Sequence, residues 1–169
     1  MAAGATYEPI ATTTLGSAAS SITFSSIAAT YTDLRLVVVP TAASTSIYTS
    51  LRFNGDTGSN YSVTTLYGNG SAVTSSRASS QTELYLNTPT SIDSTFPALV
   101  TVDLFSYAGS TNKTILSEMA IDKNGSGAVW RIVGLWRNTA AITSINFFSS
   151  TGNNFATGTT ATLYGIKNA

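Results

Sequence analysis

Histidine and cysteine are both absent from this chain of 169 residues. Without imidazole or thiol, the usual general bases, activated nucleophiles and transition-metal ligands are missing, and a disulfide framework is excluded. Charge is scarce too. Eight basic and eight acidic side chains are scattered without a run of one sign, and they cancel to a net charge of zero. A nucleic-acid binder concentrates cations on one face so that counterions are released, so no nucleic-acid partner is expected. No window approaches the ~18 apolar residues of a membrane span, so no membrane partner is expected either. Met1-Ala2-Ala3-Gly4 lacks the basic start and apolar stretch of a secretory signal, which points to synthesis in a cytoplasm without export by the general route. Proline occurs four times, and almost no segment carries helical periodicity.

In place of charge the chain carries 24 serines and 28 threonines. Threonine suits an extended backbone, because its branched Cβ fits the pleat while its hydroxyl faces water. Sheets covered with hydroxyls, not with Lys and Glu, are typical of extracellular and virion surfaces. A net charge near zero gives little colloidal protection, which favours life inside an assembly. Three Asn-Gly dipeptides (Asn54-Gly55, Asn69-Gly70 and Asn124-Gly125) separate short alternating runs. Both residue types tolerate positive φ, so each dipeptide reads as a tight hairpin turn.

The alternation predicts about ten strands. Residues 21–25 place Ile22 and Phe24 on one face. Residues 33–39 are apolar enough for a central strand buried on both faces, closed by Pro40. Residues 47–53, 61–67 and 82–86 follow. Residues 98–107 put Val100, Val102 and Leu104 on one face and Leu99, Phe105 and Tyr107 on the other. Residues 113–121, 129–136, 142–148 and 159–166 complete the set; Trp130, Ile132 and Trp136 share the core face of their strand. The expected fold is all-β, a jelly-roll-like antiparallel β-sandwich of about ten short strands in a single domain. Residues 1–20 are expected as an N-terminal arm or extended segment ahead of a sandwich domain at 21–169. Residues 68–81 and 88–96 are expected as long surface loops.

Candidate sites are few. Asn54 to Asn60 is oxygen-rich but holds one carboxylate, Asp56, where calcium prefers several, so it reads as a turn. Asp122 and Asn124 read the same way. Asp103 and Glu118 fall on neighbouring strands; a carboxylate pair can hydrolyse a glycoside, but each lies beside a cation and reads as an ion pair. Serines abound, yet no histidine activates one and no Ser-x-x-Lys motif occurs. No enzymatic activity, catalytic residue, metal or cofactor is therefore expected. Trp130, Arg131, Trp136 and Arg137 form the densest aromatic-cationic cluster; the two Trp read as core anchors and the two Arg as contact residues. Tyr48, Tyr61, Tyr67 and Tyr85 are residues able to stack on sugars.

Three stretches carry a likeness. Tyr7-Glu8-Pro9-Ile10-Ala11-Thr12-Thr13-Thr14-Leu15-Gly16 continues into Ile22-Thr23-Phe24-Ser25-Ser26-Ile27 and Tyr31-Thr32-Asp33-Leu34. Leu51-Arg52-Phe53-Asn54-Gly55-Asp56 is joined by Asn60-Tyr61-Ser62. Gly152-Asn153-Asn154-Phe155 leads to Gly158-Thr159 and Thr162-Leu163-Tyr164-Gly165-Ile166-Lys167. Together they resemble a widespread group of tailed-phage virion proteins, common in phages of aquatic bacteria and cyanobacteria. The resemblance implies a structural protein of the virion, either a capsid decoration (cement) protein bridging major capsid protein subunits or a tail-associated protein, and it implies a homo-oligomer, expected as a trimer. Contacts are expected through Tyr7 and Ile10 in the N-terminal segment and through Arg52, Arg131 and Arg137. The alternative is a tail or fibre module that binds host surface glycan through its loops.

Overall fold

Alternation of apolar and hydroxyl side chains separates a dry face from a wet one on nearly every segment, and two such segments bury their dry faces only by stacking. The computed structural model describes residues 6–44, 46–88 and 91–167. Within these, the strands in chain order are β1 (Tyr7–Thr14), β2 (Ser21–Phe24), β3 (Asp33–Val39), β4 (Thr49–Phe53), β5 (Tyr61–Gly68) and β6 (Val73–Gln81). They continue with β7 (Leu84–Tyr85), β8 (Leu99–Leu104), β9 (Lys113–Ile121), β10 (Ala128–Trp136), β11 (Ile145–Ser149) and β12 (Thr160–Ile166). All pairings are antiparallel. A large sheet runs β1-β12-β3-β8-β9-β10-β5-β6, and a small sheet runs β2-β11-β4-β7. The chain swaps layers repeatedly, at β1 to β2, β2 to β3, β3 to β4 and β4 to β5, then into and out of the small sheet at β7 and again at β11. This is the sandwich expected, with twelve strands where about ten were read.

The core lies between the layers. Leu34, Leu36, Val100, Val102, Ile115, Met119, Trp130, Ile132, Trp136 and Leu163 of the large sheet face Ile22, Phe24, Leu51, Phe53, Ile145 and Phe147 of the small one, all of them buried. Trp136 is flanked by Phe53, with ring centroids 5.6 Å apart, and by Tyr61 at 6.4 Å. Strand β3 is central, as read, but it buries only Leu34, Leu36 and Val38, while Val39 is exposed. Its second face looks outward because, among the described residues, no layer covers that side of the sheet.

Several expectations change. Residues 73–81 form β6, where a loop was expected; Asn69-Gly70 turns the chain back and β6 pairs with β5. Small Ser, Thr and Ala side chains on both faces gave no alternation to read. Residues 7–14, within the stretch expected as an arm or extended segment, run extended along β12 as the edge strand β1. Asn54 and Gly55 adopt positive φ of 53° and 67° in a tight turn closed by Asp56 N–H donating to the Phe53 carbonyl at 2.9 Å. That turn is no hairpin, since it passes the chain from β4 in the small sheet to β5 in the large one. Tyr107, expected on the Leu99 face, is fully buried; Ser106 takes a positive φ of 49° and ends the alternation.

Candidate contact surface

The outer face of the large sheet has no layer over it, and the register orders its side chains into rows. One row crosses Arg35, Asp103, Leu116, Val133 and Thr64. The next crosses Val37, Thr101, Glu118, Arg131 and Leu66. A third runs through Leu99, Ala120, Val129, Gly68 and Val73. Five apolar side chains stand exposed in these rows, at 48% for Leu99, 50% for Val133, 51% for Leu66, 59% for Val129 and 73% for Val73. Ala120 and Gly68 add little bulk between them, which leaves a groove of about 480 Å³ lined by Leu66, Leu99, Val129, Glu118 and Arg131. Arg131 and Glu118 are direct cross-strand neighbours and form an ion pair in which both side chains are half exposed.

The other half of the face is polar. Thr12 and Thr162 pair across β1 and β12 with their hydroxyls 3.1 Å apart, and Thr14 pairs with Thr160. Tyr7 stands at the edge, with its ring edge-on to Tyr164 at 6.5 Å. The Arg35 guanidinium lies 5.8 Å from the Tyr7 ring and donates two hydrogen bonds to Asp103, at 2.6 and 2.7 Å. That bond to Asp103 raises the already high Arg35 pKa.

The five residues assigned to contacts do not converge. Tyr7 and Arg131 share the outer face but stand on strands well separated in the sheet, β1 at its edge and β10 beyond β12, β3, β8 and β9. Ile10 packs against the core. Arg52 is on the other layer, 4.5 Å over the Phe148 ring and 2.7 Å from Glu83. Arg137 follows β10 and is tied to the Ser59 carbonyl. Sequence reasoning missed Leu66, Leu99 and Val73 as a surface. One signal was legible: Val129, Val133 and Leu135 fall opposite the Trp130 face, so β10 is apolar on both sides.

Asp103 and Glu118 each pair with their own arginine, Arg35 and Arg131, and they do not flank a common cleft. The Asp56 carboxylate accepts from the Trp136 indole at 2.7 Å, Asn60 at 2.9 Å and the Gly58 N–H at 2.8 Å. Both of its oxygens are engaged in holding the turn. Among the described residues no group of three or more acidic side chains is gathered for a metal ion. Of the tyrosines, Tyr61 is buried, Tyr67 packs on Trp130 at 5.3 Å, and Tyr85 is on the small sheet; they form no common platform. Burial raises the Tyr85 and Tyr107 phenols above the ordinary value.

The fold defines the class of protein as a two-layer antiparallel β-sandwich whose large sheet turns one face outward. No family model matches the chain, and neither a curated protein nor a solved structure matches it.

Proposed function

We propose that this chain is a structural protein of a phage particle, a capsid decoration protein that bridges major capsid protein subunits and catalyses no reaction. One observation supports the reading most: the uncovered face of the large sheet exposes Leu66, Val73, Leu99, Val129 and Val133 together on a chain without net charge. Contiguous exposed apolar surface on a soluble protein marks a contact site. The likeness of the three sequence stretches to virion proteins supplies the setting.

The mechanism is mass action. A protein that binds only the assembled shell stabilises it by its binding free energy, and an oligomer multiplies weak contacts through effective concentration. The hydroxyl half of the outer face, with Tyr7, Thr12, Thr14, Thr160 and Thr162, suits a wet, hydrogen-bonded contact with the shell. Mixing purified protein with capsids stripped of it tests the reading. Co-sedimentation with capsids and a higher disruption temperature are expected, with Tyr7→Asp weakening binding at least tenfold. Binding to host cells and not to capsids would assign the chain to the tail instead.

A further inference from the structure

We infer that the apolar half of the outer face, on β8, β9, β10, β5 and β6, is covered by a second copy of this chain related by a two-fold axis that passes beside the Glu118–Arg131 pair. The inference rests on reading the protein as an assembly component, and it names what fills the face. Three observations carry it.

The first is that the patch is single. The large hydrophobic side chains exposed among the described residues are Tyr7, Val39, Leu66, Val73, Leu99, Phe105, Val129 and Val133. Apart from Tyr7 at the sheet edge and Phe105 beyond the end of β8, they lie on this half or at its border. A head-to-tail contact between copies needs two different complementary patches, whereas a two-fold contact uses the same patch twice. With one apolar patch, copies of this chain meet face to face.

The second is charge. Arg131 and Glu118 stand side by side at the border of the groove, each half exposed. A two-fold axis between them sets each arginine against the second copy's carboxylate and closes an alternating four-charge cluster. A patch of one sign would repel its own copy. The third is extent. Five strands of six to nine residues, spaced ~4.8 Å apart, outline about 650 Å², against the ~800 Å² per partner of a stable interface. Ala120 and Gly68 leave room between the rows for side chains of the opposite sheet, as in aligned sheet packing.

Sedimentation equilibrium of the purified chain tests this. The expected mass is twice 17.5 kDa. Val129→Asp and, separately, Val133→Asp weaken the dimer at least a hundredfold with unchanged circular dichroism; both positions are exposed, so neither change disturbs the core. Glu118→Arg weakens it at least tenfold, and the exchanged pair Glu118→Arg with Arg131→Glu restores it. A chain that stays monomeric up to about 100 μM overturns the inference, as does a trimer, or a dimer indifferent to both aspartate variants. Capsid binding is scored separately on the same samples. A monomeric Val129→Asp variant that still binds stripped capsids supports the two-fold contact and leaves the decoration reading intact. A dimer sensitive to Val129→Asp that binds no capsid supports the contact and removes that reading.

Discussion

The indole nitrogen of Trp136 donates a 2.7 Å hydrogen bond to the Asp56 carboxylate, tying the end of β10 to the turn that carries the chain from one sheet to the other. The same residue holds Tyr61, whose hydroxyl donates to the Asp56 backbone carbonyl at 3.1 Å. Trp136 is fully buried, so its N–H has no water to turn to. Asp56→Ala leaves that donor orphaned and frees Asn60 and Gly58, a loss of about 2–3 kcal/mol. Burial acts to raise the Asp56 pKa, but the hydrogen bonds from Trp136, Asn60 and Gly58 outweigh it and hold the carboxyl below its ordinary value of 3.8. A depressed carboxyl contributes stability that is complete above its unfolded value and is lost as pH falls through the folded one. Urea midpoints measured at about pH 6 and about pH 3 therefore fall less for Asp56→Asn than for the wild type.

At the alkaline end the controlling group is Tyr61. Burial pushes its phenol from 10.0 up to about 12, because the phenolate would sit beside Trp136 and Phe53 without water. The raised value means that stability is whole below about pH 10 and is lost as pH rises towards about 12. Tyr61→Phe keeps the ring but removes the acceptor of the Phe53 N–H, a 3.0 Å bond. It costs about 1–2 kcal/mol at neutral pH and flattens the alkaline loss. Absorbance titration of tyrosinate with parallel urea melts checks both parts. Tyr85 and Tyr107, also raised, leave a residual slope.

Lys113 is fully buried, and among the described residues no carboxylate pairs with it. Its ammonium donates to the Gly109 carbonyl at 2.6 Å, to the Thr111 carbonyl and, more weakly, to the Thr139 carbonyl at 3.4 Å. It thereby ties the loop before β9 to the segment after β10. Lys113→Met releases that tie but removes a buried charge. The two effects partly offset, and the loss is about 1–2 kcal/mol. Lys113→Glu aims a carboxylate at the same carbonyls and costs more than about 3 kcal/mol. Burial holds the lysine pKa below 10.5, so the unfolded chain keeps its proton to higher pH. Between the two values the wild type gains stability with rising pH, and the Met variant lacks this gain. Melts of both proteins across that window read the difference.

The layers were legible because residues 33–39 and 129–136 are long apolar runs and residues 113–121 alternate, and β3 and β9 begin and end where the pattern does. What escaped lies where periodicity carries no information. Strand β6 is mostly Ser, Thr and Ala, with Val73, Arg77 and Gln81 too far apart to set a period; its pairing with β5 leaves little trace in hydropathy. Asn54-Gly55 has the dihedral angles of a hairpin turn, yet partner choice is set by distant strands, with Asn54 accepting from the N–H groups of Thr143 at 2.8 Å and Ser144 at 3.0 Å. The contact surface was half visible. Arg131 was singled out by type, but Leu66, Leu99 and Val73 become neighbours only through the order β8-β9-β10-β5-β6. No local pattern encodes that order.

The two layers approach closely at Gly134, which faces inward from β10 onto Leu84 of β7. A Cβ there would lie 2.2 Å from Leu84 Cδ1 and 3.1 Å from its Cγ. Leu84 is fully buried, so its side chain cannot swing out to water. Gly134→Ala therefore forces β7 away from the large sheet and costs about 2–3 kcal/mol through overpacking. Leu84→Ala alone opens a cavity at a similar cost, about 2–4 kcal/mol. Combined, the new methyl enters the space the leucine vacates, so the double variant loses clearly less than the sum. Neighbours that share one cavity couple by about 0.5–3 kcal/mol, whereas distant sites add. A double-mutant cycle by urea denaturation measures that coupling. Strict additivity would mean that Leu84 does not seat over Gly134 and that the register joining the layers at β7 is wrong.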